Sequence, residues 1–583
     1  MSDFIFSSLA QPQGELTKQI QGIYRSNPPE VQEFHGTWGS LGVSRNTYKG
    51  FDPLETQDHI FVVIGGPVLY FRNNRFLTES DPFAGTEAIY RRWLSGAIEW
   101  DQDLSGPFSV LIVDKKAGHI TYVTDLMMFI PVYRFRRENA LFLGTHVDAL
   151  ARTANQTSHR DQVSLADFIL HDAVTYPYTT YRNIRQASPA CIMTETPDAV
   201  LSQEVYWLPK EGNPYESIDE AATALREALE RYVRRVTENM DEVAQFISGG
   251  EDSRVLLGLI PQDLRRHAFI FLDHMNREGK IAEKAARAYG VDFHAVFRSE
   301  THYLEILEEA SDLVGSGHQY HHAHTLGFHE ICGLTEYPAV FGGYLSDTLL
   351  KGLYARKVRG STRFPFLPEV FVPGETRTQP VTCPLFSDAI LEEINHRRIA
   401  HMERVREIRP ETAHEWFVIW PVTMRSGVPN IYTNRRLVSS YEVFLCHDVV
   451  KIGAAVPIQW KLNRRLFHKA TRAYLEPSKW MLHSNGMLPY FPWYFSKPVQ
   501  FFVLCWQKFA EWVGITKGNQ GPWFDWNVLI NSRELKELIE KYSENLDRLP
   551  LVRQKNPAKS IFEDSILTKE QKLNLLQMLY QLS

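Results

Sequence analysis

Between residues 217 and 260 three signals follow one another in an order that few folds accommodate. Ser217 and Glu220 form a Ser-x-x-Glu capping box, and apolar residues recur at 218, 221, 225, 229, 232 and 236. That spacing predicts an amphipathic helix. A short apolar strand, VAQFI (243–247), comes next, then a glycine pair, then the apolar-periodic run SRVLLGLIP. Helix, strand, glycine turn and helix in this order predict a parallel α/β sheet. HAFIFLD and YPAVFGG read as two further buried strands, and the stretch from about 390 to 480 as mostly helical.

The chain before residue 205 reads differently. Short β-rich runs such as HIFVVIGGPVLYF, FSVLIVD and HITYVTD alternate with turn residues, which predicts an α+β domain dominated by antiparallel sheet. The polar passage LPKEGNPYE separates the two patterns, so the expected domains are 1–205 and 206–583. A length of 583 residues suits at least two cores. With 63 basic against 69 acidic residues, no net basic field favours nucleic acid or anionic lipid, and neither is expected as a partner. Five cysteines lie far apart with no CxxC pair, which argues against a zinc ribbon or a disulfide framework. No secretory leader and no run of ~18 apolar residues is visible, so the expectation is a soluble, cytoplasmic protein with reduced thiols.

Chemistry concentrates first in Phe246-Ile247-Ser248-Gly249-Gly250-Glu251-Asp252-Ser253-Arg254. Gly249 and Gly250 let backbone amides approach an anion, the following helix N-terminus favours negative charge, and Ser248 and Ser253 offer hydroxyls. Such a loop grips phosphate, although no Gly-Lys-Ser/Thr follows as a Walker sequence would require. Asp252 would repel phosphate unless a divalent cation lay between them, which makes it the first magnesium-ligand candidate. An ordinary glycine turn with an Asp cap is the alternative for Ser-Gly-Gly alone.

The Ser-Gly-Gly-x-Asp-Ser string resembles the pyrophosphate loop of the asparagine synthetase family, which activates a carboxylate by adenylation. Further segments match in the family's order. Arg277-Glu278-Gly279 resembles the acidic position beside the nucleotide. Phe341-Gly342-Gly343-Tyr344-Leu345-Ser346-Asp347 resembles the second phosphate-side loop, whose aspartate helps hold magnesium. TNRRLVSSYEVFLCHD resembles the family segment that ends at an aspartate, here Asp448. In the front half, GPFSVLIVDKKAGHITYVTDLMMFIPVYRF and LFLGTHVDAL resemble the family's glutaminase domain. The resemblance implies an N-terminal-nucleophile-like α+β sandwich followed by an α/β parallel-sheet ATP-pyrophosphatase domain, with ATP and Mg²⁺ as cofactors. It also implies a site built from Ser248, Gly249, Gly250, Asp252, Ser253, Glu278 and Gly343, the metal falling to Asp252 and Asp347.

Two departures from the family pattern matter. Its glutaminase uses a cysteine directly after the initiator methionine, whereas Ser2-Asp3-Phe4 stands here, so glutamine hydrolysis is expected to be absent. Tyr344 occupies a place where asparagine synthetases carry glutamate. It resembles the tyrosine of β-lactam and carbapenam synthetases, which pairs with a downstream glutamate to deprotonate an attacking amine. Glu375 lies at a suitable distance in sequence, with Asp388, Glu392 and Glu393 as competitors. For the cation that stabilises the tetrahedral oxyanion, the resemblance points into WKLNRRLFHKA: Arg464 at the matching place, with Lys461 and Lys469 nearby.

The expected activity is an AMP-forming amide synthetase acting on a small molecule or peptide that carries a carboxylate and an amine. Lasso-peptide cyclisation, ammonia-dependent asparagine synthesis and a non-catalytic nucleotide-binding scaffold are the alternatives. His318, His321, His322 and His324 are read as a substrate-pocket wall ahead of a metal site. The Trp- and Phe-rich block at 480–526 is read as core or subunit contact, compatible with a homodimer.

Overall fold

The computed structural model describes residues 3–358, 367–374, 381–516, 518–552, 561–562 and 565–583. Up to residue 205 the chain forms two six-stranded antiparallel sheets packed face to face. Alternation along each strand explains the layering. In His59–Gly65, Ile60, Val62 and Ile64 point into the space between the sheets, while Phe61 and Val63 point to the outer side. In Phe4–Ser7, Phe4 and Phe6 enter the same inter-sheet core, and Ile5 packs outward against Leu16 and Ile20 of the helix Glu15–Gln21. The helix Ala84–Leu94 covers the other outer face through Ile89. Helices therefore enclose a β-sandwich, the architecture expected from the resemblance.

The last strand of the sandwich is Val200–Val205, and helix α1 (Ile218–Thr237) opens the second part. Its buried face is the predicted one: Ala221, Leu225, Leu229, Tyr232 and Val236. The cap differs by half. The Ser217 hydroxyl accepts from the Glu220 amide, but the Glu220 carboxylate turns to the Glu216 amide. A five-stranded, wholly parallel sheet follows, made of β1 (Glu242–Phe246), β2 (Arg265–Leu272), β3 (Asp292–Phe297), β4 (Val340–Gly342) and β5 (Ser440–Glu442). Its order is β3-β2-β1-β4-β5. The chain runs outward from β1 in both directions, so β1 and β4 flank the point where the winding reverses, and the crevice beyond their carboxyl ends is where such sheets take ligands.

Sequence reading found β1, β2 and β4 but neither β3 nor β5. The two parts are welded together. Tyr48 donates to the Ser440 carbonyl at 2.7 Å, the His447 amide donates to Ser105 at 2.9 Å, and one continuous apolar cluster joins Phe108 and Val110 to Tyr232, Tyr441 and Phe444. The aromatic block is not core throughout. On the helix Trp493–Trp512 the outward face carries Phe502, Trp506, Phe509 and Trp512, the last 82% exposed. Among the described residues, no helix is long and apolar enough to cross a membrane.

Candidate active site

Strand β1 ends at Phe246, and helix α2 (Glu251–Leu259) begins after Gly250 with no side chain capping its amides. The intervening loop is cross-braced. Ser253 accepts from the Ser248 amide at 3.1 Å, Ser248 accepts from the Gly250 amide at 3.1 Å, and Glu278 on helix α3 (Arg277–Ala288) accepts from the Gly249 amide at 2.6 Å. Glu278 thus shapes the loop, and its Oε2 is buried without a hydrogen-bond partner among the described residues. Arg254, fully buried, donates to the carbonyls of Gly249, Met481 and Leu482, tying the loop to a segment more than two hundred residues away.

Strand β4 ends at Gly342. A Cβ there would come within 2.2–2.4 Å of the Glu442 carboxylate, so glycine is required for β5 to approach. Glu442 accepts from the Tyr344 amide at 3.0 Å, which fixes the loop leading to helix α4 (Ser346–Leu350). Asp347 lies in the first turn of α4, and Asp252 in the first turn of α2. The two carboxylates converge. Lys351 Nζ stands 2.5 Å from Asp252 Oδ1, 2.9 Å from Asp347 Oδ1 and 3.5 Å from Glu251 Oε2. Arg464 closes the group at 3.2 Å from Glu251 Oε1.

Two cavities flank this cluster. One, of about 320 Å³, is lined by Ser248, Asp252 and Ser253 of the loop, by Phe269–Phe271 of β2, and by Gly343 and Tyr344. The other, of about 360 Å³, is lined by Asp347, Lys351, Lys357, Arg464, Lys497 and Gln500. A segment that sequence reasoning did not attach to the site straps the first cavity. Arg298 bridges Asp273 (2.6 Å) and the Pro522 carbonyl (2.6 Å), Asn276 donates to the carbonyls of Asn519 and Gly521, and Trp523 packs on His324 with ring centres 4.6 Å apart. A larger cavity of about 840 Å³, beside His146, Arg152 and the C-terminal residues, contains none of the candidate ATP-site, metal or catalytic residues.

The remaining candidates divide. Ser248, Gly249, Gly250, Asp252, Ser253, Glu278, Gly343, Tyr344, Asp347 and Arg464 gather at the crevice. Lys461 does not: it is buried against Glu415 at 3.5 Å and over the Trp416 ring. Asn463 and Arg464 have left-handed backbones (φ +57° and +58°), and that kink turns Arg464 toward Glu251 and away from Lys461. Lys469 pairs with Asp219 on the surface, and Asp448 with Arg231. Glu375 and Ser2 lie outside the described residues. Of the histidines only His324 lines the first cavity; His318 bonds Tyr133 and His321 is buried behind.

Among the described residues, the phenol of Tyr344 is bonded by Arg425 and by no carboxylate. Burial pushes it up to about 12 against the pull of Arg425. Such a phenol stays protonated through the physiological range. Tyr344→Phe is therefore expected to lower turnover by at most about 10²-fold and to leave the pH–rate profile between pH 6 and 9 unchanged in shape. A basic limb that disappears in the variant would identify the tyrosine as the titrating base instead. His483, unforeseen in the sequence, stands near Gly250; burial, reinforced by the charges of Arg254 and Lys351, pulls it down to about 3.

A sandwich of antiparallel sheets joined to a parallel sheet, with a glycine loop and paired aspartates at the reversal of strand order, defines an amidotransferase-like domain fused to a nucleotide-binding one. Family models agree: residues 68–207 match the glutamine amidotransferase domain and residues 224–482 match asparagine synthase. The chain belongs to the asparagine synthetase family. It is 22% identical over 263 residues to asparagine synthetase [glutamine-hydrolyzing] 3 of Bacillus subtilis, a match spanning 41% of each chain. Among solved structures, glutamine phosphoribosylpyrophosphate amidotransferase from B. subtilis aligns with 50% of this chain and 65% of its own, at 11% identity and a TM-score of 0.23.

Proposed function

We propose that this protein is an ATP-dependent, AMP-forming amide synthetase. The observation that carries the reading is the convergence of Asp252 and Asp347, from two separate loops, at the carboxyl ends of adjoining central strands. A substrate carboxylate attacks the α-phosphorus of ATP, pyrophosphate leaves, and an acyl adenylate remains. An amine then attacks the acyl carbon and expels AMP. The uncapped amides at the start of α2 face the phosphate side of this exchange, and Ser248 and Ser253 keep their loop in shape.

Asp252 and Asp347 suit a divalent cation in kind, as paired carboxylates, and would hold Mg²⁺ when it arrives with the nucleotide's phosphates. When bound, Mg²⁺ supplies neutralisation of charge on the departing pyrophosphate. Of Lys461, Arg464 and Lys469, Arg464 is the one placed to stabilise the tetrahedral oxyanion, because its side chain borders the second cavity beside Asp347. Glutamine hydrolysis is not part of the proposal. Cys191 is the cysteine nearest to Ser2-Asp3-Phe4, and burial pushes its thiol up to about 11.

A peptide or similarly extended substrate is preferred over aspartate with ammonia. Trp493, Lys497 and Gln500 line the second cavity, and the same helix continues outward with exposed Phe502 and Trp506. The test is release of pyrophosphate and AMP in equal amounts from ATP plus candidate carboxylates. Release with a peptide bearing a free N-terminus supports ring closure or ligation, release with aspartate and ammonia supports asparagine formation, and no release with any carboxylate leaves a nucleotide-binding scaffold.

A further inference from the structure

We propose that Lys351 is a built-in cation of the pyrophosphate site: its ammonium fills the point between Asp252 and Asp347, excludes a divalent ion from the nucleotide-free protein, and presents positive charge to the phosphates. The assignment rests on the reading that the loop after β1 binds a nucleotide's phosphates.

The ammonium donates to Asp252 and is ion-paired with Asp347 and Glu251 as well. The Lys351 side chain is only 8% exposed, and the Phe467 ring lies 4.3 Å from Nζ, closing its apolar side. A lone buried lysine would shed its proton, and the three carboxylates within 3.5 Å of Nζ supply the counter-charge that keeps this one an ammonium. Three carboxylates therefore share two fixed cations, Lys351 and Arg464.

A divalent ion entering between Asp252 and Asp347 would have to evict the ammonium and then remain close to it, a like-charge contact in a poorly solvated pocket. Among the described residues no set of three or more His, Cys, Asp or Glu side chains is arranged to hold a metal ion. Phosphate is a different visitor. Asp347 is the most open of the three acceptors, with a side chain 61% exposed, and a phosphate oxygen can replace it on the ammonium without disturbing Asp252 or Glu251.

The experiment uses the full-length, nucleotide-free protein and Mn²⁺ as probe, with free Mn²⁺ read by electron paramagnetic resonance. Wild type is expected to leave Mn²⁺ free at concentrations where Lys351→Met, similar in length but neutral, binds it about ten-fold more tightly or better. Adding Asp347→Asn to Lys351→Met should abolish the gain. In parallel, Mn²⁺ should raise the melting temperature of Lys351→Met and not that of wild type. Wild-type binding of Mn²⁺ that is lost in Asp347→Asn would overturn the assignment, and this arm stands even if Lys351→Met fails to fold. So would a folded Lys351→Met that gains no Mn²⁺. A second titration, inorganic pyrophosphate in the presence of EDTA, separates the two readings. Binding by wild type that weakens in Lys351→Met supports the lysine's role toward phosphate. Absence of pyrophosphate binding from wild type strikes the phosphate-site reading, whatever the Mn²⁺ result.

Discussion

Asp252→Asn and Asp347→Asn are each expected to slow pyrophosphate release by about 10²–10³-fold, the usual cost of removing one preorganised charge-stabilising group. The fold should survive both changes. Burial pushes the Asp252 carboxyl up to about 6, with Lys351 opposing and Asp347 and Glu251 adding to the push, so its pocket resists the charge it is asked to carry. An asparagine relieves that burden, while Lys351 keeps two of its three acceptors. A side chain that costs stability in its ionised form is retained for what the charge does, the pattern found at active sites.

The double variant sharpens the expectation. If the two carboxylates act as a unit on one departing pyrophosphate, Asp252→Asn/Asp347→Asn should be little slower than either single change. Rates that multiply would mean independent roles. Turnover within about three-fold of wild type in either single variant would end the assignment of the crevice as the adenylation site.

How far the sequence foretold this arrangement depends on the range of the signal. The β-rich run at 60–64 and the helical spacing of 218–236 are local, and both survive folding unchanged. Strand β3 escaped because it lies at the sheet edge, where half of its residues face solvent and no apolar run marks it. Strand β5 is three residues long, and Glu442, which braces the Tyr344 loop, was hidden with it. Lys351 was within reach: it stands four residues after Asp347, the separation at which a lysine meets an aspartate on a helix face.

Arg425, His483 and the strap at 519–523 carry no such local signature, since each joins the site only through contacts distant in sequence. The choice between Lys461 and Arg464 turned on a left-handed kink at non-glycine residues, which helical spacing does not reveal. The outward aromatic face of Trp493–Trp512 shows the converse: composition suggested burial, and the exposed face of the helix is the apolar one.

The second large effect is expected far from the crevice, at Asp3. Its carboxylate receives Arg436 at 2.7 and 2.8 Å, Arg435 at 3.3 Å, Tyr24 at 2.8 Å and Thr145 at 2.8 Å, all out of solvent. Both arginines belong to the helix Pro429–Leu437 of the second part, and the same helix supplies Asn430 and Asn434 to the lining of the first cavity. One acidic residue at the head of the sandwich thus anchors a wall of the nucleotide crevice.

Asp3→Asn leaves two buried guanidinium groups without their counter-charge, and a loss of about 3–5 kcal/mol is expected for breaking a buried pair from one side. Burial raises the Asp3 carboxyl, but Arg436 and Arg435 outweigh it and hold the group well below its unfolded value of about 3.9. For a depressed carboxyl the stabilisation is complete above the unfolded value and disappears as pH falls through the lower range. The gap in melting temperature between wild type and Asp3→Asn should therefore be constant from about pH 5 upward and shrink below about pH 4. A gap of the same size at pH 3 and pH 7 would show that the charge on Asp3 is not what fastens the sandwich to the nucleotide domain.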